Sequence, residues 1–132
     1  MENKDKIFER WVPEACNIPK AINIDGVYDD YEGFRVLIRA AEGAERVYKI
    51  KFETYLGYRN IDESNRYRSL ELFPCNSNEW CLFKTYNSDF INWIKNESGG
   101  KYDDDQIIHF AILTQNDILD ILTLKEPTLK EL

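Results

Sequence analysis

The chain has 132 residues, of which 43% are hydrophobic and 14% aromatic, and its formal net charge is −7. This length fits one domain, residues 1–132, and this apolar content is too high for a disordered chain. The negative charge argues against a nucleic-acid binder and against adhesion to an anionic membrane, since both need basic residues to meet phosphates, whereas it suits a basic protein partner.

The location that the sequence predicts is the cytoplasm. No apolar run approaches the length of about 18 residues that a membrane span needs, and the first eleven residues contain no apolar signal core. The three cysteines, Cys16, Cys75 and Cys81, are odd in number and sparse, so we expect free thiols in a reducing compartment.

Four strands are predicted in the first half of the chain, at residues 7–12, 22–28, 34–41 and 46–58. The second contains a turn or bulge at Asp25-Gly26. Gly43 lies in a short polar loop that predicts a hairpin, so the third and fourth strands should pair antiparallel. The fourth alternates almost without fault between apolar and charged residues, which is typical of one long strand with a buried and a solvated face.

The second half predicts further strands and one helix. Residues 59–69 are polar and predict a loop or a helical turn, and apolar patterns predict strands at 69–73, 80–86, 107–114 and 118–124. The segment 107–114 is apolar on both parities, which is typical of a central strand covered on both faces. Pro127 is expected to end the ordered chain, so residues 1–6 and 128–132 should fray.

The helix is predicted over residues 88–98. Ser88 is a suitable N-cap, and Gly99-Gly100 provides the left-handed end. Phe90, Trp93 and Ile94 form one apolar stripe that should face the core. Together these elements predict an α+β domain, with about six or seven mostly antiparallel strands and one main helix on one face.

A cluster of charged and aromatic residues follows the long strand: Tyr58, Arg59, Asp62, Glu63 and Arg66. An arginine beside carboxylates can hold an anion or pair with a partner's charges. The alternative, which we favour, is an internal ion pair in which Arg59 or Arg66 bridges Glu63 and fixes a loop. We therefore expect the Arg59 side chain close to Glu63 or Asp62.

His109 is the only histidine, and it lies within the predicted central strand. It could act as a general base, but no nucleophile motif such as G-x-S-x-G accompanies it, so a core position is the favoured interpretation. The cysteines and His109 lack metal-ligand spacing, and the glycines form no phosphate loop. We therefore predict no catalytic residue, no metal and no cofactor.

Acidic loops offer a second candidate surface. Tyr102 precedes Asp103, Asp104 and Asp105, and other predicted loops carry further acids, at Asp29, Asp30, Glu32, Glu42 and Glu45. Acidic loops at one end of a sheet would steer a basic partner. Exposed aromatics such as Tyr31 or Tyr102 are the alternative points of contact.

Three segments carry a resemblance to a known family: YRNIDE at 58–63, EWCLFKTYNSDFINWI at 79–94 and IIHFAILTQNDILDIL at 107–122. In their order they resemble small cytosolic immunity-like proteins of Gram-positive bacteria, encoded beside polymorphic toxins. The resemblance implies a non-enzymatic protein that binds and neutralises a cognate toxin, such as a basic nuclease domain. It implies no catalytic residues.

Two other functions stay open. The first is a small-ligand-binding or enzymatic domain with a site around Arg59, Glu63 and His109, which a pocket joining all three would favour. The second is a structural subunit of another partner. The leading hypothesis is a protein-binding domain, without indication of its oligomeric state.

Overall fold

The computed structural model describes residues 6–14, 17–43 and 46–132. It confirms an α+β fold of mostly antiparallel sheet, but the described residues form nine strands in two sheets where six or seven strands were expected. The strands are β1 (Glu9–Arg10), β2 (Ile22–Asp30), β3 (Gly33–Ala40), β4 (Val47–Phe52), β5 (Tyr55–Asp62), β6 (Leu82–Thr85), β7 (Ile108–Leu113), β8 (Asp117–Thr123) and β9 (Thr128–Glu131). The helices are a 3₁₀ turn (Glu63–Asn65), α1 (Tyr67–Leu70) and α2 (Asp89–Glu97).

The two sheets face each other across the main core. The first has the order β1-β6-β7-β8-β5 and the second the order β2-β3-β4-β9, with every neighbouring pair antiparallel. Apolar side chains from both sheets share one buried cluster, which includes Phe34 and Ile50 from the second and Phe110 and Ile121 from the first. Burial of this apolar area is the main force that holds the sheets together.

The first sheet is covered on its outer face as well. Along β7, Phe110 and Ile112 face the core between the sheets, whereas Ala111 and Leu113 pack with residues 70–75 on the other side. All six residues of β7 are buried. The prediction of a central strand covered on both faces is confirmed, with Ile112 only 2% exposed.

The long strand predicted over residues 46–58 is two strands in different sheets. A turn at residues 53–54 separates β4 from β5. Thr54 fixes this turn, because its hydroxyl accepts hydrogen bonds from the backbone N–H groups of Leu124 and Lys125, both at 3.0 Å. Since β4 pairs with β9 and β5 with β8, the two segments form one antiparallel ribbon that bends from the second sheet into the first.

Two further predictions are wrong. Residues 69–73 do not form a strand, because the chain winds into α1, where the N–H groups of Ser69 and Leu70 donate to the Arg66 carbonyl. Pro127 does not end the ordered chain, because β9 follows it, pairs with β4 and packs Leu129 against the main core. Residues 1–5, Cys16 and Glu45 lie outside the described residues.

Helix α2 begins and ends where the sequence predicts. The Ser88 hydroxyl accepts a hydrogen bond from the Ile91 N–H at 3.2 Å, and Gly99 adopts a positive φ of 62°. The buried face differs from the expected stripe: Ile91 is buried, whereas Trp93 is 56% exposed. Within the described ranges, no helix is both long enough and apolar enough to cross a membrane.

Candidate functional site

The centre of the candidate site is Asp120 on β8, a carboxylate that is completely buried. The register of the sheet places Arg59 of β5 directly opposite it, and Arg59 Nε donates to Asp120 Oδ2 at 3.0 Å. On the other neighbouring strand, His109 of β7 points to the same face, and its Nε2 is 2.6 Å from Asp120 Oδ1. A buried carboxylate needs such partners, because the loss of water would otherwise cost several kcal/mol.

The fourth group, Arg66, comes from the segment between the 3₁₀ turn and α1. Its Nη1 donates to Asp120 Oδ2 at 2.7 Å, and its Nε donates to Ser69 Oγ at 3.1 Å. Burial alone would raise the pKa of Asp120, but the hydrogen bonds and charges of His109 and Arg66 outweigh burial and lower this pKa to about 2. The carboxylate is therefore ionised at neutral pH.

His109 connects Asp120 to the N-terminus of α2. Since an ionised carboxylate only accepts hydrogen bonds, His109 Nε2 is the donor to Asp120. Ser88 Oγ and His109 Nδ1 form a second hydrogen bond at 2.8 Å. The rings of Phe8 and Phe90 meet the imidazole edge-on, at centroid distances of 5.0 and 5.6 Å. We call Arg59, Arg66, Ser88, His109 and Asp120 the Asp120 network.

A cavity of about 280 Å³ opens above this network. Arg59, Arg66, Ser88 and His109 line it together with apolar side chains and with further polar groups at its rim. The apolar walls are Ile7, Phe8, Leu72 and Phe90, and the rim includes Asn87, Asp89 and Asn92.

The order Ser88–His109–Asp120 has the composition of a nucleophilic triad, but its electrostatics argue against that chemistry. In a triad the carboxylate stabilises the imidazolium that forms when histidine takes the serine proton. Here two guanidinium groups share the same carboxylate and would repel an imidazolium. The Ser88 hydroxyl also accepts the Ile91 N–H, so its established role is to cap α2.

The residues predicted around Arg59 separate into different places. Arg59, Arg66 and His109 converge, but they converge on Asp120, so the expected pairing of Arg59 with Glu63 or Asp62 is wrong. Glu63 lines a different cavity beside Phe73, and the Asp62 carboxylate accepts the Ser64 N–H at 2.9 Å. Both arginines pair with Asp120 and not with Asp62 or Glu63, because a buried carboxylate interacts more strongly with a cation than a carboxylate in water does.

Two other predicted residues also lie outside the cavity lining. The Tyr58 ring lies on the opposite face of β5, 4.8 Å from the ring of Phe34. Tyr102 is half-buried against the cluster of Ile91, Ile107 and Leu122, so it is not a freely exposed contact. Asp103, Asp104 and Asp105 are exposed in the turns after α2.

A second feature, on the outside of α2, involves Arg59 again. The Arg59 guanidinium lies over the Phe90 ring at 4.3 Å from its centroid, and the rings of Phe90 and Trp93 are 6.2 Å apart. These three side chains and Asp89 line a shallow depression. We call Arg59, Phe90 and Trp93 the Trp93 surface.

Sequence reasoning predicted the capping role of Ser88 but missed Asp120 and the contact of Ser88 with His109. The sequence did contain a signal for Asp120, which is the single acid in the otherwise apolar run ILDIL. A run whose other residues are all apolar predicts a strand that is buried on both faces, so an acid within it is expected to be buried too. In the described part of the chain, Cys75 and Cys81 are free thiols, and no group of three His, Cys, Asp or Glu side chains is arranged to hold a metal. No protein-family model, curated protein or solved structure matches this chain.

Proposed function

We propose that this chain is a non-enzymatic protein-binding domain that neutralises a cognate bacterial toxin in the cytoplasm, and that the toxin docks on the Trp93 surface. The observation that carries the proposal is a tryptophan that is 56% exposed, beside a phenylalanine that is covered by an arginine. Tryptophan and arginine are among the residues that dominate binding energy at protein interfaces.

The Trp93 surface is held in place before any partner arrives. Arg59 is anchored to Asp120 at 3.0 Å, and α2 is anchored by buried Ile91 and by the Ser88 cap. Side chains that are already ordered lose less entropy on binding, so more of their contact energy contributes to affinity.

The class of partner rests on two further supports. The resemblance to immunity-like proteins in three segments favours a toxin, and the net charge of −7 favours a basic one. The sharing of Asp120 between two arginines supports a function without chemistry at Ser88.

The test compares Trp93→Ala with Tyr31→Ala as matched control. Tyr31 is 95% exposed in the turn between β2 and β3, so its loss removes an aromatic ring from elsewhere on the surface. Tagged wild-type protein captures the partner from its native host. The gene that encodes this partner is then expressed alone, with the wild-type protein and with each variant. We expect growth arrest that wild type and Tyr31→Ala relieve and Trp93→Ala does not.

Two outcomes would overturn this proposal. One is a captured partner whose expression does not harm growth. The other is a Trp93→Ala variant that protects the cell as well as wild type does.

A further inference from the structure

The arginines of the Asp120 network have donors that no protein group uses. Arg59 donates through Nε alone, and Arg66 through Nε and Nη1. Three terminal nitrogens have no acceptor among the described residues, namely both of Arg59 and the second one of Arg66. Since no buried side-chain nitrogen in that part of the chain lacks a partner, these nitrogens open to the cavity or to solvent.

The charges beneath the cavity are unequal. Two guanidinium groups face one buried carboxylate, Asp120. One positive charge is therefore left over in a protein whose total charge is −7. Among the described residues that line this cavity, Asp89 is the one acid, and its charge opposes the binding of an anion there.

We propose that the cavity binds an organic monocarboxylate with an apolar body. The two terminal nitrogens of Arg59 form a planar fork that can hold a carboxylate through paired N–H donors, which a single ammonium cannot do, and the second terminal nitrogen of Arg66 adds one more donor. Ile7, Phe8, Leu72 and Phe90 provide walls for an apolar body, as in most small-ligand sites. The guanidinium charge that Asp120 does not balance suits a monoanion better than a dianion such as phosphate, because Asp89 repels the doubly charged ligand more strongly.

The carboxylate has two possible sources, a free small molecule or an acidic side chain that a protein inserts. Both present the same chemistry to Arg59 and Arg66. The cavity shares Arg59 and Phe90 with the Trp93 surface, but Trp93 itself does not line the cavity. Trp93→Ala therefore separates the two proposals, because it should impair the partner and leave the carboxylate bound.

The experiment is a titration of the full chain with benzoate, followed by NMR through the imidazole signals of its one histidine. We expect saturable shifts with a Kd of about 1 mM or tighter, and no such shifts with benzyl alcohol, which has the same body without the charge. Arg59→Gln should weaken benzoate about tenfold or more. Asp89→Asn should tighten it severalfold, because the opposing charge is removed.

A short capped peptide with one glutamate then distinguishes the sources. Binding of benzoate without the peptide indicates a free ligand, and binding of the peptide indicates an inserted side chain. The proposal is overturned if neither benzoate nor the glutamate peptide moves the His109 signals. It is also overturned if benzyl alcohol binds as well as benzoate, or if the affinity for benzoate is the same in wild type, Arg59→Gln and Asp89→Asn.

Discussion

At the scale of single residues, Asp120 is the buried carboxylate on which the charged side chains of the candidate site converge. Three side chains from three separate segments, Arg59, Arg66 and His109, converge on its two oxygens. Asp120→Asn removes the charge and leaves the buried part of Arg66 without its counter-ion. We expect a loss of about 3–5 kcal/mol in the free energy of unfolding at neutral pH, measured by urea titration. Asp104→Asn, at an exposed site, is the matched control and should change little.

The pH dependence of stability follows from the same carboxyl. Its folded pKa of about 2 lies below the ordinary value of 3.8, so its contribution to stability is complete above about pH 4 and is lost as pH falls towards 2. This shift corresponds to roughly 2 kcal/mol. Urea midpoints recorded between pH 5 and 2 should therefore fall more steeply for wild type than for Asp120→Asn. Parallel curves would show that Asp120 does not contribute in this way.

Cys81 gives a second prediction at this scale. Burial raises the pKa of its thiol to about 12, so the reactive thiolate is almost absent in the folded protein. Iodoacetamide followed by peptide mapping should label half-buried Cys75 under native conditions and Cys81 only after denaturant is added. Equal labelling of both in the native state would contradict the burial of Cys81.

At the scale of elements, the sequence predicts what depends on neighbours along the chain. Helix α2 and strand β7 could be predicted because their patterns are local: a capping Ser88, a terminal Gly99 and an unbroken apolar run. The division of residues 46–58 between two sheets could not be predicted, because Thr54 is fixed by residues 124–125, about seventy positions later. The pairing of Arg59 with Asp120 was missed for the same reason, since it depends on the register of β5 against β8.

Strand β9 is the element whose presence is easiest to test. Removal of residues 128–132 would leave β4 paired with β3 alone and uncover the core beside Ile50, which lies opposite Leu129. We expect a loss of at least about 2 kcal/mol in unfolding free energy and a greater tendency to aggregate, since β4 becomes an exposed edge. Leu129→Ala should give a smaller loss and Lys130→Ala almost none. A truncated chain that melts at the wild-type temperature would rule out a stabilising role for β9.

At the scale of the whole molecule, the net charge of −7 governs encounter with a partner. Asp103, Asp104 and Asp105 are all exposed after α2, whereas other acids such as Asp25 and Asp30 are paired with Arg39 and Arg35. Exposed charge acts mainly on the association rate and is screened beyond about 8–10 Å at physiological salt.

Association with a basic partner should therefore slow as salt is raised, while dissociation changes less. Changing Asp103, Asp104 and Asp105 together to Asn should slow association at low salt only, as stopped-flow mixing can measure. Tyr31→Ala, which changes no charge at an exposed site, serves as the neutral control. An association rate indifferent to salt, or an acidic partner, would remove the electrostatic part of the proposal.

The ribbon that bends at Thr54 has a consequence for how the protein is made. Strands β8 and β9, residues 117–131, supply one strand to each sheet and are synthesised after the other seven strands that the structure describes. Until β8 and β9 emerge from the ribosome, β5 lacks its partner strand and β4 is paired with β3 alone. During that time β2, β3 and β4 form an incomplete sheet whose apolar face is exposed. Closure of both sheets is thus a single late event, and a ribosome that stalls near residue 116 would hold a chain that a chaperone must cover.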